Sequence, residues 1–316
     1  MTGADRSGFA LIGALWLVVA IAVVSANAWW RFEAGSLLAQ NLGEAPEARL
    51  VAEAGLAAAH TALQGRLERQ DLTVDGRRLV DPWSDVSGRT DSSAVGTGGR
   101  LVTTVSELDA LLPLNLVDER ELTDFLTTAG ADGSTAQTIA QSVMDWRDSD
   151  DLYRARGAER AWYRSRGSTV LPANGPFGDV TELRHVRGVS ADIYAVIAPM
   201  IAVTGDGRVN LNAAPAAVMA ALPGLSPSAA RRIETLRGSG RRFFSVYDVA
   251  LRLPKAERES IEARLPALVA RTTFETERVL VESRGRTAGG RITHTALALF
   301  ERQGGTAYRT WVRHAR

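Results

Sequence analysis

The sequence predicts an α+β protein: a long N-terminal apolar helix, a small antiparallel sheet domain, and a large all-α insertion within that domain. Three observations predict it. Residues Phe9 to Trp30 form an uncharged apolar run. Alternating apolar and polar residues with Gly-rich turns recur near residues 72–109 and again after about residue 270. Between them, from Pro113 onward, apolar residues fall at helical spacing. A chain of 316 residues has room for one large core or two to three smaller ones. The formal net charge of +1 names no partner, and the absence of cysteine excludes disulfides, thiolate metal sites and a cysteine nucleophile.

From Phe9 to Trp29 a helix extends roughly 30 Å at 1.5 Å per residue, enough to cross a bilayer core. Trp29 and Trp30 fall where an interfacial aromatic belt sits, followed by Arg31. Arg6 is offset by Asp5 and matched by Arg31, so charge bias sets orientation weakly, but the long hydrophilic remainder suggests export. A rival reading takes Ala26-Asn27-Ala28 as a signal-peptidase site releasing a soluble product that begins at Trp29.

Helical patterning resumes through "VAEAGLAAAHTALQGRL", with Gly43 and Pro46 as interruptions before it. "LTVDGRRLV" carries the hairpin signal Asp75-Gly76, and "RLVTTVSEL" reads as a strand, with residues 87–99 between them as a flexible loop. "LVDERELTDFLTTAG" and "STAQTIAQSVMDWRDSDD" are amphipathic helices, the second with Ser134 as a candidate cap. "DVTELRHVRGVSADIYAVIAPMI" reads as two short helices broken at Gly188, with Ser190 capping the second. Short helices around a Pro-Gly turn follow from Arg208 to Leu253, and the C-terminal stretch reads as antiparallel strands.

"DWRDSDD" places Asp145 and Asp148 one helical turn apart, with Asp150 and Asp151 just beyond and Glu159 and Asn174 on the following loop. Crowded carboxylates repel unless protons or a cation neutralise them, and an all-oxygen set favours Ca2+ over zinc. Asp148, Asp150 and Glu159 have the offsets of EF-hand positions 1, 3 and 12. That motif is rejected, because Leu152 and Tyr153 stand at positions 5 and 6. The residues alone fit either an ion site or a solvated helix end offset by Arg147, Arg154 and Arg156.

"LPGLSPSAARRIETLR" followed by "RFFSVYDV" has the form of a helix-hairpin-helix unit, with Ser226 in place of a second hairpin glycine. Arg231, Arg232, Arg237, Arg241 and Arg242 would supply phosphate contacts, or the unit is a helical packing module. No catalytic residues are assigned: His60, His185, His294 and His314 are scattered, and no nucleophile elbow, phosphate loop or HExxH pair is present.

Read in order, Gly8-Phe9, "AEAGLAAA", "DWRDSDD", "RGAERAWY", "ANGPFGDVTELRHVRGVSADIYAVIAPMIAV" and "RVNLNAAPAAVMAALPGL" resemble the general secretion pathway protein K family, the K-class minor pseudopilins of type II secretion. The likeness spans nearly the whole chain and rests on the order of the motifs. It implies a prepilin leader over 1–8, cut by prepilin peptidase between Gly8 and Phe9, and a transmembrane or pilin helix over 9–30. Most pilins carry Glu at the fifth mature position; Gly13 stands there, as expected only of this class. The resemblance further implies a pilin-like α+β domain over 31–112 and 270–316. Within it sits an α-domain whose first part, 113–203, holds an acidic calcium loop. The second part, 204–269, makes the insertion SAM/helix-hairpin-helix-like. The implied protein is nonenzymatic, single-pass in the inner membrane with its C-terminal domain in the periplasm. It assembles with I- and J-class minor pseudopilins and the major pseudopilin into the tip that initiates or caps the pseudopilus. Ca2+ is implied at Asp145, Asp148, Asp150, Asp151, Glu159 and Asn174. Nucleic acid is not an expected partner, an exported DNA-binding or DNA-uptake protein being the alternative.

Overall fold

A computed structural model describes residues 25, 29–30, 44–68, 73–74, 77–78, 81–84, 86, 90–95, 99–288 and 292–315. The processing residues Gly8 and Phe9 lie outside them, as does the apolar helix expected over 9–30 save residues 25, 29 and 30, which are helical. Among the described residues no helix is long and apolar enough to cross a membrane.

Helix α1 spans residues 44–68, and Pro46 lies in its first turn, where a missing N–H costs nothing, so it does not interrupt the helix. The strand pair β1 (Thr73–Val74) and β2 (Arg77–Arg78) flanks the expected Asp-Gly turn. Strands β3 (Thr90–Val95) and β4 (Gly99–Glu107) follow, and then β5 (Leu112–Pro113). The loop expected over 87–99 is therefore partly strand. Its Thr-Asp-Ser-Ser run is weakly β-forming, but pairing with β4 satisfies the backbone groups of that otherwise open edge.

The helical span contains α2 (Glu119–Thr128), α3 (Gly133–Arg147), α4 (Arg160–Ser165) and α5 (Ala191–Ile197). Beyond β6 (Ile201–Ala202) and β7 (Val209–Asn210) come α6 (Ala216–Ala220), α7 (Pro227–Gly238), α8 (Val246–Ala250), α9 (Lys255–Glu262) and α10 (Leu265–Ala270). Asp132, not Ser134, caps α3: its carboxylate accepts from the amides of Ser134 and Thr135, both at 3.0 Å. Ser190 caps α5 as expected. The insertion is also not purely helical. Two-residue parallel pairs, β5 with β6 and β7 with β8 (Thr272–Thr273), stitch its ends.

Strands β9 (Arg278–Arg286), β10 (Thr293–Gln303) and β11 (Thr306–Ala315) complete an antiparallel sheet of order β11-β10-β9-β4-β3. The protein is thus a mixed α/β structure built on an antiparallel sheet. Helix α1 lies across one face, where Leu56, Leu63 and Leu67 meet Val279, Val281, Ala296, Ala298 and Phe300. A second core joins Leu122, Phe125 and Leu126 of α2 to Ile139, Ala140 and Val143 of α3 and to the later helices. Each such large apolar side chain contributes about 1.5–3 kcal/mol on burial.

A buried polar layer joins the two cores. Asp109 accepts from the amides of Glu277 (2.7 Å) and Arg278 (2.8 Å) and from the Arg278 guanidinium, which also reaches Asp206 at 2.6 Å. Beside it Glu107 Oε1 accepts from Asn210 Nδ2 (2.7 Å) and Thr276 Oγ1 (2.8 Å). Burial pushes the Glu107 carboxyl up to about 7 against those hydrogen bonds, with Asp81 and Asp109 adding repulsion.

Candidate functional site

Helix α3 ends where its C-cap, Asp148, turns extended, so Asp145 in the last turn and Asp148 just beyond it point toward one place. The chain then loops back, and Glu159, the residue before α4, enters the same place from the other side. Ligand oxygens of Asp145, Asp148 and Glu159 all lie within 4.8 Å of one another.

Asp145 is fully buried and Glu159 is 1% exposed. Glu159 Oε1 and Oε2 and Asp148 Oδ1 are buried without a hydrogen-bond partner. Burial pushes Glu159 up to about 7, and Asp145, Asp148, Asp151 and Asp150 push in the same direction. Burial also raises Asp145, against the hydrogen bonds and charge of Arg154. The Arg154 guanidinium is the cluster's protein counter-ion, 2.5 Å from Asp145 Oδ1 and 2.7 Å from Asp148 Oδ2. Arg147, by contrast, turns away to donate to the carbonyls of Leu114 and Val117. The backbone amide of Arg156 donates to Gln141 Oε1 at 2.7 Å.

Asp150, Asp151 and Asn174 form a rim outside this triad. Asn174, held at φ 52°, donates from Nδ2 to the Asp150 carbonyl (3.0 Å) and Asp151 Oδ1 (3.2 Å), while its Oδ1 accepts from Arg160 Nε at 3.3 Å. Asp150 Oδ1 accepts from the Leu152 amide at 2.8 Å. The structure thus brings three of the six expected residues into one cluster and ties the other three into its rim.

An aromatic wall backs the cluster. Trp146 stacks on Phe177 at 6.0 Å and meets the edge of Tyr163 at 5.4 Å; the Tyr163 hydroxyl accepts from the Arg187 amide at 3.0 Å. Arg187 in turn donates to the Gly157 carbonyl at 2.8 Å. Gly157 is a site residue that no local pattern singles out. A Cβ there would overlap Asp145 Oδ2, so only glycine permits the loop to close on the carboxylate. The available signal was its place in "RGAERAWY", two residues before Glu159.

The residue set fits a hard cation. Three carboxylates offer oxygen only, three buried oxygens lack donors, and a monovalent guanidinium leaves the cluster under-neutralised.

The helix-hairpin-helix-like region places its arginines differently from a phosphate clamp. Arg237 Nη1 donates to the Leu211 carbonyl at 3.1 Å, and Arg242 faces Asp81 at 4.0 Å. Arg231, Arg232 and Arg241 are exposed. Gly224, at φ 80°, packs so that a Cβ would come within 2.9 Å of the Ser260 carbonyl, and Ser226 caps α7. These are the contacts of a packing hairpin.

Residues 113–206, the stretch that carries the acidic cluster, match the family described as type II secretion system (T2SS), protein K. The chain is 27% identical over 247 residues to the type II secretion system protein K of Pseudomonas aeruginosa, covering 74% of this chain and 73% of that one. It is 24% identical over 222 residues to the protein of the same name from Klebsiella pneumoniae, covering 60% and 68%. The chain thus carries a type II secretion system protein K domain. It is a minor pseudopilin of that machinery, a structural component of an envelope secretion system. The fold of the chain also matches, with a TM-score of 0.62, 17% identity and coverage of 86% of this chain and 96% of the other, a chain in a crystal structure. That structure is the GspK-GspI-GspJ complex from the type 2 secretion system of enterotoxigenic Escherichia coli.

Proposed function

We propose that this minor pseudopilin joins I- and J-class minor pseudopilins in a tip complex that initiates or caps the periplasmic pseudopilus, where it meets the major pseudopilin. The observation that carries this reading is the shared fold with a chain from a complex whose other named members are GspI and GspJ. Residues 9–30 would anchor it in the inner membrane as a single span with the C-terminal domain in the periplasm, after prepilin peptidase cuts between Gly8 and Phe9. A division into a sheet domain (31–112 and 270–316) and a helical insertion (113–203 and 204–269) agrees with the two cores. So bulky an insertion suits a terminal position better than repeated stacking in a thin fibre. The role is structural and nonenzymatic.

Asp145, Asp148 and Glu159 would hold Ca2+, with Asp150, Asp151 and Asn174 supporting the loop. The buried, donorless oxygens of Asp148 and Glu159 support this assignment. When bound, the ion supplies the positive charge that lets these carboxylates remain ionised together. The chain's own residues do the rest: Gly157 permits the close approach, and the Trp146 wall excludes water from one side.

Mass analysis of the exported N-terminus tests the processing step. The expected mature chain begins at Phe9 with an N-methyl group; a start at Trp29 would remove the anchor and the pilin reading with it. Co-purification with I- and J-class pseudopilins tests the assembly. The alternative, nucleic-acid binding, predicts salt-dependent affinity lost on Arg231→Ala and Arg232→Ala. The inward-turned Arg237 and Arg242 favour the structural reading.

A further inference from the structure

A second cluster of metal-ligating side chains lies on the α1 side of the sheet, far in sequence from the acidic loop. In the β10–β11 register His314 stands opposite Ala296, so His294, two residues before Ala296, is its diagonal neighbour on that face. The two rings converge: His294 Nε2 and His314 Nδ1 are 3.1 Å apart, with ring centroids at 5.3 Å. Behind His314, its other nitrogen, Nε2, faces Glu53 Oε1 of α1 at 3.7 Å, and Glu53 also accepts from Arg49 Nε at 2.9 Å.

We propose that His294 Nε2 and His314 Nδ1 form a binding site for a divalent transition-metal ion, Zn2+ being the reference ion, with Glu53 as the outer partner that orients His314. Once each ring turns off the line joining the two nitrogens, along which the 5.3 Å centroid separation sets them, nitrogens 3.1 Å apart subtend about 100° at an ion about 2.05 Å from each, between the square-planar and tetrahedral angles. A carboxylate facing the non-ligating nitrogen of a ligating histidine is a recurrent device: it fixes the tautomer, keeps the proton on Nε2 and leaves the Nδ1 lone pair for the ion.

Without the ion one nitrogen donates to the other. With Nε2–H of His314 directed at Glu53, the shared proton belongs to His294 Nε2. Ion binding needs that lone pair, so the proton moves to His294 Nδ1; both rings stay neutral, the hydrogen bond between them is exchanged for two bonds to the ion, and water completes the shell. The site would pin the end of β11 to β10 and, through Glu53, to α1. The other end of β11 is already held to α1 by His60 Nε2 at the Ala307 carbonyl (2.9 Å) and by Gln64, which accepts from the Ala307 amide at 2.8 Å. Imidazole ligands separate this site from the all-oxygen acidic cluster, which prefers a hard ion.

The test is calorimetric titration of Zn2+ into the untagged full chain in detergent with Ca2+ in excess, beside the His294→Gln, His314→Gln and Glu53→Gln variants and His185→Gln as control. Both pair histidines are partly exposed, and thermal melts check that each variant is folded. One Zn2+ per chain is expected, weakened at least about 10-fold by either pair variant and about 10-fold by Glu53→Gln, with no change for His185→Gln. In the unaltered chain, Cu2+ should show electron-spin couplings to two nitrogens. Undetectable Zn2+ binding, or binding that survives both pair variants unchanged, overturns the proposal.

Discussion

Glu159 carries both of its carboxylate oxygens buried without a donor, and that decides how single substitutions at the acidic loop behave. In chelator, Glu159→Gln removes a charge that the ion-free fold leaves under-compensated, so the variant should melt higher than the parent. In Ca2+ the order should reverse: at a hundredfold excess over the dissociation constant the parent gains about 2.7 kcal/mol, and the variant loses most of that gain. Differential scanning calorimetry in the two buffers reads this crossing, and parallel melting curves would remove Glu159 from the ion. Gly157→Ala should cost about 1–3 kcal/mol in urea unfolding and abolish the Ca2+ response, because its Cβ would overlap Asp145 Oδ2.

At the level of elements, α1 rests on the sheet through small residues. A Cβ at Gly285 would overlap the Ala48 carbonyl and the Ala52 amide, and one at Gly55 would meet Leu101 at 2.6 Å. The small residues around "AEAGLAAA" are therefore the means by which helix and strand backbones approach. Gly285→Ala should displace α1 and lower stability by about 1–3 kcal/mol, measured by urea unfolding and by loss of near-UV ellipticity from buried Trp83. Helix α2 depends on its cap: Asp118 accepts from the Glu121 amide at 2.7 Å, while Glu121 accepts from the Asp118 amide at 3.0 Å and from Arg271 at 3.1 Å. Asp118→Ala should cost about 1 kcal/mol without changing Ca2+ affinity.

Across the whole molecule, the polar layer between the cores sets a pH dependence. The folded Glu107 carboxyl titrates near 7 against an ordinary value of 4.5, so between these values the native chain holds a proton that the unfolded chain has released. Stability therefore falls as pH rises through that window and levels off above it. Replacement by Gln keeps an acceptor for Asn210 and Thr276 and removes the charge. Glu107→Gln should thus remove the Glu107 share of the slope, leaving that of Glu159, and, at pH 8, exceed the parent by on the order of 2–3 kcal/mol in urea unfolding. An unaltered slope would place the titration elsewhere.

The elements with strong periodicity were legible from residues alone: α1, α2, α3 and the C-terminal strands announce themselves because each buries one face. The acidic run, the Asp-Gly hairpin and the Ser190 cap were legible because each depends on residues adjacent in sequence. Strand β3 was not, because a polar Ser-Thr run becomes a strand only when β4 offers an edge. The choice of Asp132 over Ser134 as cap was likewise open until the chain direction before α3 was known. The order of motifs carried the resemblance to the protein K family, and composition determined which ion chemistry the acidic loop can offer. Tertiary structure alone decided that Asp145, Asp148 and Glu159 converge while Asp150, Asp151 and Asn174 form the rim, that Gly157 clears the way, and that His294 meets His314. Those are contacts between residues separated along the chain, and their geometry is set by how helices and strands pack, which no local pattern encodes.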